Sequence, residues 1–132
     1  MRKYLSPDRS QSVAAVYVGN NSFGNPSYQI RFNQEKFLPF NFSDTVCWSE
    51  DSRYCAIKGW MSGNSASSSL TIFDRWRKQH AVIKKEGEFK DISFSKGCFF
   101  FTVKLHGFLI RYKLTLAKLN TWENSFGESA AK

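Results

Sequence analysis

The sequence has 132 residues, of which 42% are hydrophobic and 17% aromatic, so its length suits one domain with a core of its own. A charged share of 23% is ordinary for globular proteins and excludes a largely disordered chain. No stretch reaches the roughly 18 apolar residues of a membrane span, and no apolar run follows the basic N-terminal residues as in a secretory signal. We therefore expect a cytoplasmic protein with no membrane partner, a single domain over residues 1–132, and frayed ends at 1–5 and 120–132.

The net charge of +8 is distributed unevenly along the chain. Residues 1–74 contain seven Lys or Arg and six acidic residues, whereas residues 75–118 contain eleven and three. The positive excess therefore lies between residues 75 and 118. A local field of this kind attracts an acidic partner, either a protein or a nucleic acid.

From the N-terminus onwards, a short turn followed by a strand recurs three times. The turns start at Ser6, Ser49 and Ser95, which are 43 and 46 residues apart. The strands predicted directly after these turns are residues 13–17, 54–57 and 99–103. A second strand in each unit alternates apolar and polar residues, the period of a half-buried strand. These second strands are residues 28–32, 70–73 and 108–112.

A third strand is predicted in each unit, and linking strands lead into the second and third turns. The third strands are residues 36–40, 80–83 and 114–117, and the linking strands are residues 45–48 and 89–94. Helix signals are weak, because residues 73–79 fit a turn of helix and a hairpin loop equally well. The sequence thus predicts an all-β fold of about three antiparallel units.

The second unit combines V-C-W-S-E-D-S-R-Y-C-A at residues 46–56 with S-L-T-I-F-D at residues 69–74. This unit resembles a blade of the WD-repeat and TolB-like β-propeller families, which run strand, Ser-Pro-Asp-Gly type turn, strand, loop, and strand ending in Asp. The first unit keeps the turn but not the tight spacing. The third keeps the alternation but has Lys96 at the acidic position. The resemblance implies blade-like units from residue 6 to around residue 119.

Three units are too few for an ordinary propeller. Propellers close with about 4 to 8 blades of about 40 residues each, and this chain has room for three. We therefore expect an open twisted sheet, a β-sandwich or a partial propeller. Such a fold leaves strand edges that are either protected or used for partner binding or oligomerisation.

The densest mixture of basic and aromatic residues lies at 74–80 and continues a few residues later. The candidate partner-binding residues in it are Arg75, Trp76, Arg77, Lys78, His80, Lys84 and Lys85. Nucleic-acid binders use such mixtures because cations neutralise phosphate and rings stack on bases, and protein interfaces also favour Trp and Arg. The plainer alternative is a solvated hairpin with Trp76 packed on the body of the protein.

Two long loops, at residues 19–26 and 59–69, are rich in Gly, Ser and Asn and are expected at the same end of their units. Trp60 and Met61 lie at the root of the second loop. They either anchor it or present a contact surface, and they complete the set of candidate partner-binding residues.

No motif for catalysis, a cofactor or a metal is recognisable in the sequence. His80 and His106 lie in different units, and nothing pairs them as a general base and acid. Cys47, Cys55 and Cys98 lack C-x-x-C spacing and have apolar neighbours, so we expect buried, reduced thiols. We therefore expect neither an enzyme nor a bound cofactor.

The sequence favours a non-catalytic protein-binding module whose partner has an acidic surface. The simplest form is a small cytosolic inhibitor, such as an immunity protein that neutralises a toxin by direct binding; size and the lack of catalytic motifs suggest it. The alternative is a nucleic-acid-binding β domain that uses the basic face of residues 75–118. The two differ in salt dependence, because affinity for nucleic acid falls steeply as salt rises.

Overall fold

Strands dominate the structure. The computed structural model describes residues 2–20, 24–33, 35–60, 68–119 and 121–124. Within these ranges the helical element is a 3₁₀ turn at Leu116–Lys118. The strands are β1 Arg2–Leu5, β2 Ser12–Asn20, β3 Pro26–Phe32, β4 Glu35–Trp48, β5 Tyr54–Trp60, β6 Ser68–Asp74, β7 Gln79–Lys84, β8 Glu88–Ser95, β9 Cys98–Leu105, β10 Phe108–Thr115 and β11 Glu123–Asn124. The prediction of an all-β fold is confirmed.

The strands form two antiparallel sheets, and both sheets are open. In the larger sheet, β1 to β7 lie side by side in chain order, and β11 pairs with the outer edge of β7. The smaller sheet has the order β10-β9-β8. Consecutive strands pair because short connections allow antiparallel neighbours, whereas parallel neighbours need long crossovers. This arrangement agrees with the predicted open twisted sheet or sandwich.

Two apolar clusters lie on opposite faces of the larger sheet. On one face, Phe73 contacts Phe32 and Phe37, with ring centroids 4.8 and 5.0 Å away. On the other face, Leu70 and Ile72 pack against the smaller sheet. Successive side chains of a strand point to opposite faces, so β6 contributes to both clusters and is buried on both sides. The β5–β6 part of the larger sheet therefore lies between two apolar layers, one covered by the smaller sheet and the other by the β2–β3 part of the same larger sheet.

The first two predicted turns share one hydrogen-bond arrangement. The hydroxyl of Ser6 donates to Asp8 at 2.9 Å, and that of Ser49 donates to Asp51 at 2.6 Å. Each hydroxyl also accepts the backbone N–H five residues further on, at 3.1 and 2.9 Å. The residue after each aspartate has a positive φ, of 63° and 64°. The sequence repeat between the first two units is therefore also a repeat of turn geometry.

The third predicted turn is a different structure, a two-residue hairpin between β8 and β9. Ser95 pairs with Cys98, and the residues between them are Lys96 with φ 51° and Gly97 with φ 79°. Positive φ at both positions is the signature of a type I′ turn, which fits the right-handed twist of two paired strands.

Lys96 is not suited to its position in this turn, and replacing it should stabilise the protein. Asn tolerates a positive φ better than Lys does, so Lys96→Asn is expected to raise the free energy of unfolding by about 0.5–1 kcal/mol. Urea denaturation measures the change. Lys104→Asn is the matched control, because it places the same residue in a strand, where Asn is disfavoured. Stabilisation by both substitutions would contradict the explanation.

Gly87 lies where the chain passes from the larger sheet to the smaller one. Its φ is +109°, and a Cβ there would lie 2.5 Å from the carbonyl oxygen of Lys104 and 2.8 Å from Cγ1 of Val103. The carbonyl of Gly87 accepts the backbone N–H of Ser68 at 3.0 Å. The close approach of β9 therefore requires glycine at this crossing.

The structure differs from the predicted strands at two places. Residues 36–40 and 45–48, predicted as separate strands, belong to the single strand β4, which pairs first with β3 and then with β5. The strand predicted at 114–117 is wrong. Leu114 and Thr115 continue the β9–β10 ladder, opposite Phe99 and Cys98, and the chain then enters the 3₁₀ turn.

At the N-terminus, Arg2–Leu5 pair with β2 although fraying was expected for residues 1–5. The hydroxyl of Tyr4 also donates to the carbonyl of Asp44 at 2.8 Å. At the other end, Glu123 and Asn124 pair with β7. Both pairings hold segments that a propensity argument alone would leave loose.

Candidate binding surface

The two similar turns and the β6–β7 hairpin meet at one end of the larger sheet, formed by residues 6–11, 49–53 and 74–79 and here called the turn end. The backbone N–H of Asp8 donates to Oγ of Ser52 at 3.0 Å, and the side-chain amide of Gln11 donates to the Ser52 carbonyl at 3.1 Å. Oε1 of Gln11 in turn accepts from Nε of Arg75 at 3.1 Å. The repeat thus builds one surface from three distant segments.

Asp74 fixes the shape of the β6–β7 hairpin. Its carboxylate is 3% exposed and accepts the backbone N–H groups of Trp76 and Arg77 at 3.1 and 3.3 Å. The same carboxylate holds Arg53 through two hydrogen bonds, from Nε at 3.1 Å and from Nη2 at 2.9 Å. An aspartate that accepts N–H groups two and three residues on stabilises a turn, and a bidentate pair adds a defined geometry. The hairpin tip is therefore shaped before any partner binds.

Arg53 lies between two aromatic rings at the turn end. Its guanidinium is 4.8 Å from the ring centroid of Trp76 and 4.9 Å from that of Tyr54. The Tyr54 ring is itself 6.2 Å from that of Trp122. These four side chains form a row, here called the aromatic row, in which cation–π contacts support the outermost ring. Trp76 is 63% exposed at the end of that row.

The basic residues predicted in the hairpin divide into exposed and buried ones. Arg77 and Lys78 are exposed, and Nζ of Lys78 lies 3.6 Å from Glu35. The side chain of Arg75 is only 4% exposed, and its guanidinium lies 4.3 Å over the ring of Phe32. Burial lowers the pKa of Arg75, and the charge of Glu35 acts in the opposite direction. Arg75 therefore joins the hairpin to the core, while Arg77 and Lys78 face solvent.

Trp60 lies at the opposite end of the larger sheet, here called the loop end. With a rise of about 3.3 Å per residue, the length of β6 separates the two ends by roughly 20 Å. The indole N–H of Trp60 donates to the carbonyl of Pro26 at 2.9 Å, and Nζ of Lys58 lies 4.7 Å over the Trp60 ring. Trp60 thus anchors β5 to the start of β3. The strand ends that flank the two predicted loops, at Asn20 and Trp60, lie at this same end, and residues 21–23 and 61–67 of those loops lie outside the described residues.

Lys84 and Lys85 also lie at the loop end. Lys84 is exposed opposite Ser69, and Nζ of Lys85 lies 4.6 Å over the ring of Tyr112. Met61 lies outside the described residues. The expected interface, which combined residues 75–85 with the two loops, is therefore divided between two ends of the sheet.

His80 packs at the edge of the cluster around Phe73. Its ring centroid is 4.9 Å from that of Phe37, its side chain is 12% exposed, and its Nε2 lies 3.8 Å from Glu123. Burial lowers the pKa of His80, and the charge of Glu123 acts against that effect. His106 is placed quite differently, exposed in the turn between β9 and β10.

The burial of His80 predicts that the protein loses stability in mild acid. The unfolded chain takes up the proton near the ordinary histidine pKa of about 6.5, whereas the folded protein takes it up only at lower pH. Protonation therefore favours the unfolded state, and the free energy of unfolding falls as pH falls through that value. Urea denaturation at several pH values should show this loss, and His80→Gln should reduce it.

The matched control for this prediction is His106→Asn, because Asn also tolerates the positive φ of 51° at that position. It should leave the dependence on pH unchanged. An equal loss of stability in mild acid for the native protein and for His80→Gln would contradict the assignment to His80.

Three residues of the aromatic row, Arg53, Tyr54 and Trp122, are absent from the predicted site. Arg53 and Asp74 are 21 residues apart, and only the pairing of Tyr54 with Asp74 across β5 and β6 reveals that they are neighbours. A usable signal was present, because Tyr54 follows the Ser-x-Asp turn and Asp74 ends the next strand. Combining the strand lengths with an antiparallel hairpin would have brought these residues together.

Within the described ranges, no three His, Cys, Asp or Glu side chains converge on a common point that could hold a metal ion. The same ranges contain no helix with the length and apolar character needed to cross a membrane. Comparisons of this chain with protein-family models, curated proteins and solved structures found no match. The resemblance to propeller blades therefore stays a prediction.

Proposed function

We propose that this chain is a non-catalytic protein-binding module that uses the turn end to contact an acidic surface of a partner protein. The observation that carries the proposal is Trp76, which is 63% exposed although Arg53 supports its ring and Asp74 fixes its backbone. A side chain that is already ordered loses little conformational entropy on binding. Trp and Arg are also the residues that most often dominate protein interfaces. Arg77 and Lys78 supply the charge that attracts an acidic partner.

The particular form we propose is a small cytosolic inhibitor, such as an immunity protein that neutralises a toxin by occupying it. A preformed contact surface on a β scaffold of 132 residues supports this form, because blocking a partner needs shape and charge but no chemistry.

A photo-crosslinking experiment tests the binding proposal. A photoreactive phenylalanine analogue at residue 77 is expected to crosslink to one protein in the cells that produce this chain, and Trp76→Ala should weaken that adduct by about tenfold. The same analogue at exposed Lys3 in β1 is the matched control and should not give the adduct. An adduct that forms equally from both positions, or that ignores Trp76→Ala, would overturn the proposal.

The recovered partner then tests the inhibitor form separately. Its toxic activity should be blocked by the native chain and not by Trp76→Ala. A partner that binds through Trp76 but is not inhibited would remove the inhibitor form and retain the binding module.

Nucleic acid is the competing outcome, because an exposed ring beside cations also stacks on bases. Fluorescence anisotropy with a single-stranded RNA oligomer at low and at physiological salt decides it. Tight binding that needs Trp76 and falls steeply with salt would replace the protein partner with nucleic acid.

A further inference from the structure

Among the residues that the structure describes, the third unit has one strand fewer than the first two. In the first unit β3 lies between β2 and the start of β4, and in the second unit β6 lies between β5 and β7. The corresponding strand of the third unit is β10. Along the part of the chain that the structure describes, β10 pairs with β9 only, and its other edge has no partner strand.

The edge of β10 presents backbone groups in a regular pattern. Leu105 and Phe108 are paired across the two-residue turn formed by His106 and Gly107, both of which have positive φ. Such a turn starts the ladder with a hydrogen-bonded pair, so alternate residues of β10 bond to β9. The residues between them, at positions 109, 111 and 113, direct their backbone N–H and C=O groups to the open side.

The start of β10 also exposes large apolar side chains on both faces. Phe108 is 72% exposed, Leu109 66% and Ile110 41%. Phe108 and Ile110 share a face with Tyr112, which packs in the cluster between the sheets. The apolar layer therefore continues beyond the part that the larger sheet covers. Exposed apolar side chains on an open strand edge are normally avoided unless something binds there.

The opposite face of the smaller sheet is strongly basic. Leu109 shares this face with Lys104, Arg111 and Lys113, because residues paired across antiparallel strands lie on one face. Glu88, on the same face, already pairs with Lys58 at 3.0 Å. Pairing β10 with β10 of a second copy would place Arg111 and Lys113 against the same cations, which is unfavourable. Charge complementarity therefore favours an acidic strand over a second copy of this chain.

We propose that the open edge of β10 binds an extended segment of a partner protein, which completes the third unit as its fourth strand. In this segment apolar residues alternate with acidic ones, so that apolar side chains meet Phe108 and Ile110 and carboxylates meet Arg111 and Lys113. The backbone groups at 109, 111 and 113 pair with the segment, as in other cases of strand addition. This surface is at the loop end, away from Trp76, and goes beyond the binding proposed for the turn end.

The test uses a fluorescein-labelled peptide in which Val and Glu alternate over eight residues, with a Val/Lys peptide of the same pattern as control. The native chain is expected to bind the Val/Glu peptide and not the Val/Lys peptide. Arg111→Glu combined with Lys113→Glu should weaken Val/Glu binding by about tenfold or more and allow Val/Lys binding. No binding of the Val/Glu peptide by the native chain at about 1 mM would overturn the proposal.

Backbone pairing has its own pair of variants. Leu109→Pro removes an N–H that faces the open side and leaves the bonds to β9 intact, so it should abolish peptide binding in a folded protein. Leu109→Thr keeps that N–H but, like the proline variant, removes the leucine side chain. It should therefore reduce binding only in part. Hydrogen exchange at the amides of residues 109, 111 and 113 should slow when the peptide is added. Equal binding by both variants, or unchanged exchange, would contradict strand addition.

Two further measurements distinguish this proposal from binding at the turn end and from dimerisation through β10. Trp76→Ala should leave peptide affinity unchanged, since the turn end is a different surface, so loss of either proposed function does not remove the other. In sedimentation, the native chain alone is expected to form no dimer through β10, so no dimer should be seen that disappears in Leu109→Pro. Such a dimer would identify a second copy as the occupant and overturn the acidic partner.

Discussion

Phe73→Ala is expected to lower the free energy of unfolding by about 3–5 kcal/mol, a large share of the 5–15 kcal/mol typical of a domain. Phe73 is fully buried, and its ring lies against Phe32, Phe37 and Phe42, with centroids 4.8, 5.0 and 6.3 Å away. Removing the ring costs its transfer free energy and leaves a cavity that the neighbours from β3 and β4 cannot fill. Urea denaturation followed by tryptophan fluorescence measures the loss as a lower midpoint with an unchanged slope.

Phe108→Ala is the matched control for this prediction, because it removes the same ring from a site that is 72% exposed. It should change the free energy of unfolding by no more than about 0.5 kcal/mol. Phe73→Leu should lie between the two, since leucine fills part of the space. Similar losses for Phe73→Ala and Phe108→Ala would show that the cluster on this face of the larger sheet is not the main core.

The second large effect is expected for Asp74→Ala, which should cost about 2–4 kcal/mol. The substitution removes the acceptor for two backbone N–H groups of the hairpin and leaves Arg53, whose side chain is 24% exposed, without its carboxylate. It should also release Trp76, because Arg53 and the hairpin backbone both lose their support. Urea denaturation measures the first effect, and acrylamide quenching of tryptophan fluorescence measures the second.

Asp74→Asn separates the two roles of the carboxylate. The amide oxygen still accepts the backbone N–H groups, but the charged pair with Arg53 is lost, so the stability should be intermediate. Asp44→Asn is the control for removal of a charge, since Asp44 pairs with Arg2 at the surface, at 3.3 Å. It should leave the unfolding midpoint unchanged. An equally small effect of Asp74→Ala would show that the hairpin does not depend on this carboxylate.

Much of the fold was predictable because its strands alternate polar and apolar residues or carry unbroken apolar runs. Residues 28–32 and 99–103 show this and form β3 and β9. The boundary between residues 40 and 45 was not predictable in the same way, since β4 continues as one strand with an irregular register on both sides of Phe42, where it changes partner. Continuity there depends on which strands lie on either side, and that is a tertiary property.

The candidate site was predicted only in part, and the reasons are geometric. The predicted site contains both Trp60 and Trp76, which are 16 residues apart in the sequence. In the structure β6 runs between them, and the loops before and after a strand lie at opposite ends of a sheet, so one strand length separates the two residues. The burial of Arg75 was not visible either, since it depends on Phe32 and Gln11 from the first unit. The predicted strand at 114–117 concealed the open edge of β10, because it supplied a partner that does not exist along the described chain.

The two junctions between units have different consequences for the order in which the protein opens. β4 belongs to the first and second units at once, and Phe42 pairs with both Tyr28 and Gly59. Because those two units share a strand, they cannot separate from each other without breaking it. We therefore expect the amides of both units to exchange with solvent in one cooperative unfolding event. The third unit shares no strand with the others: the chain enters it at Gly87 and returns to the larger sheet only at the two residues of β11. Its amides should become exchangeable at lower free energy, as an independent folding unit that docks last.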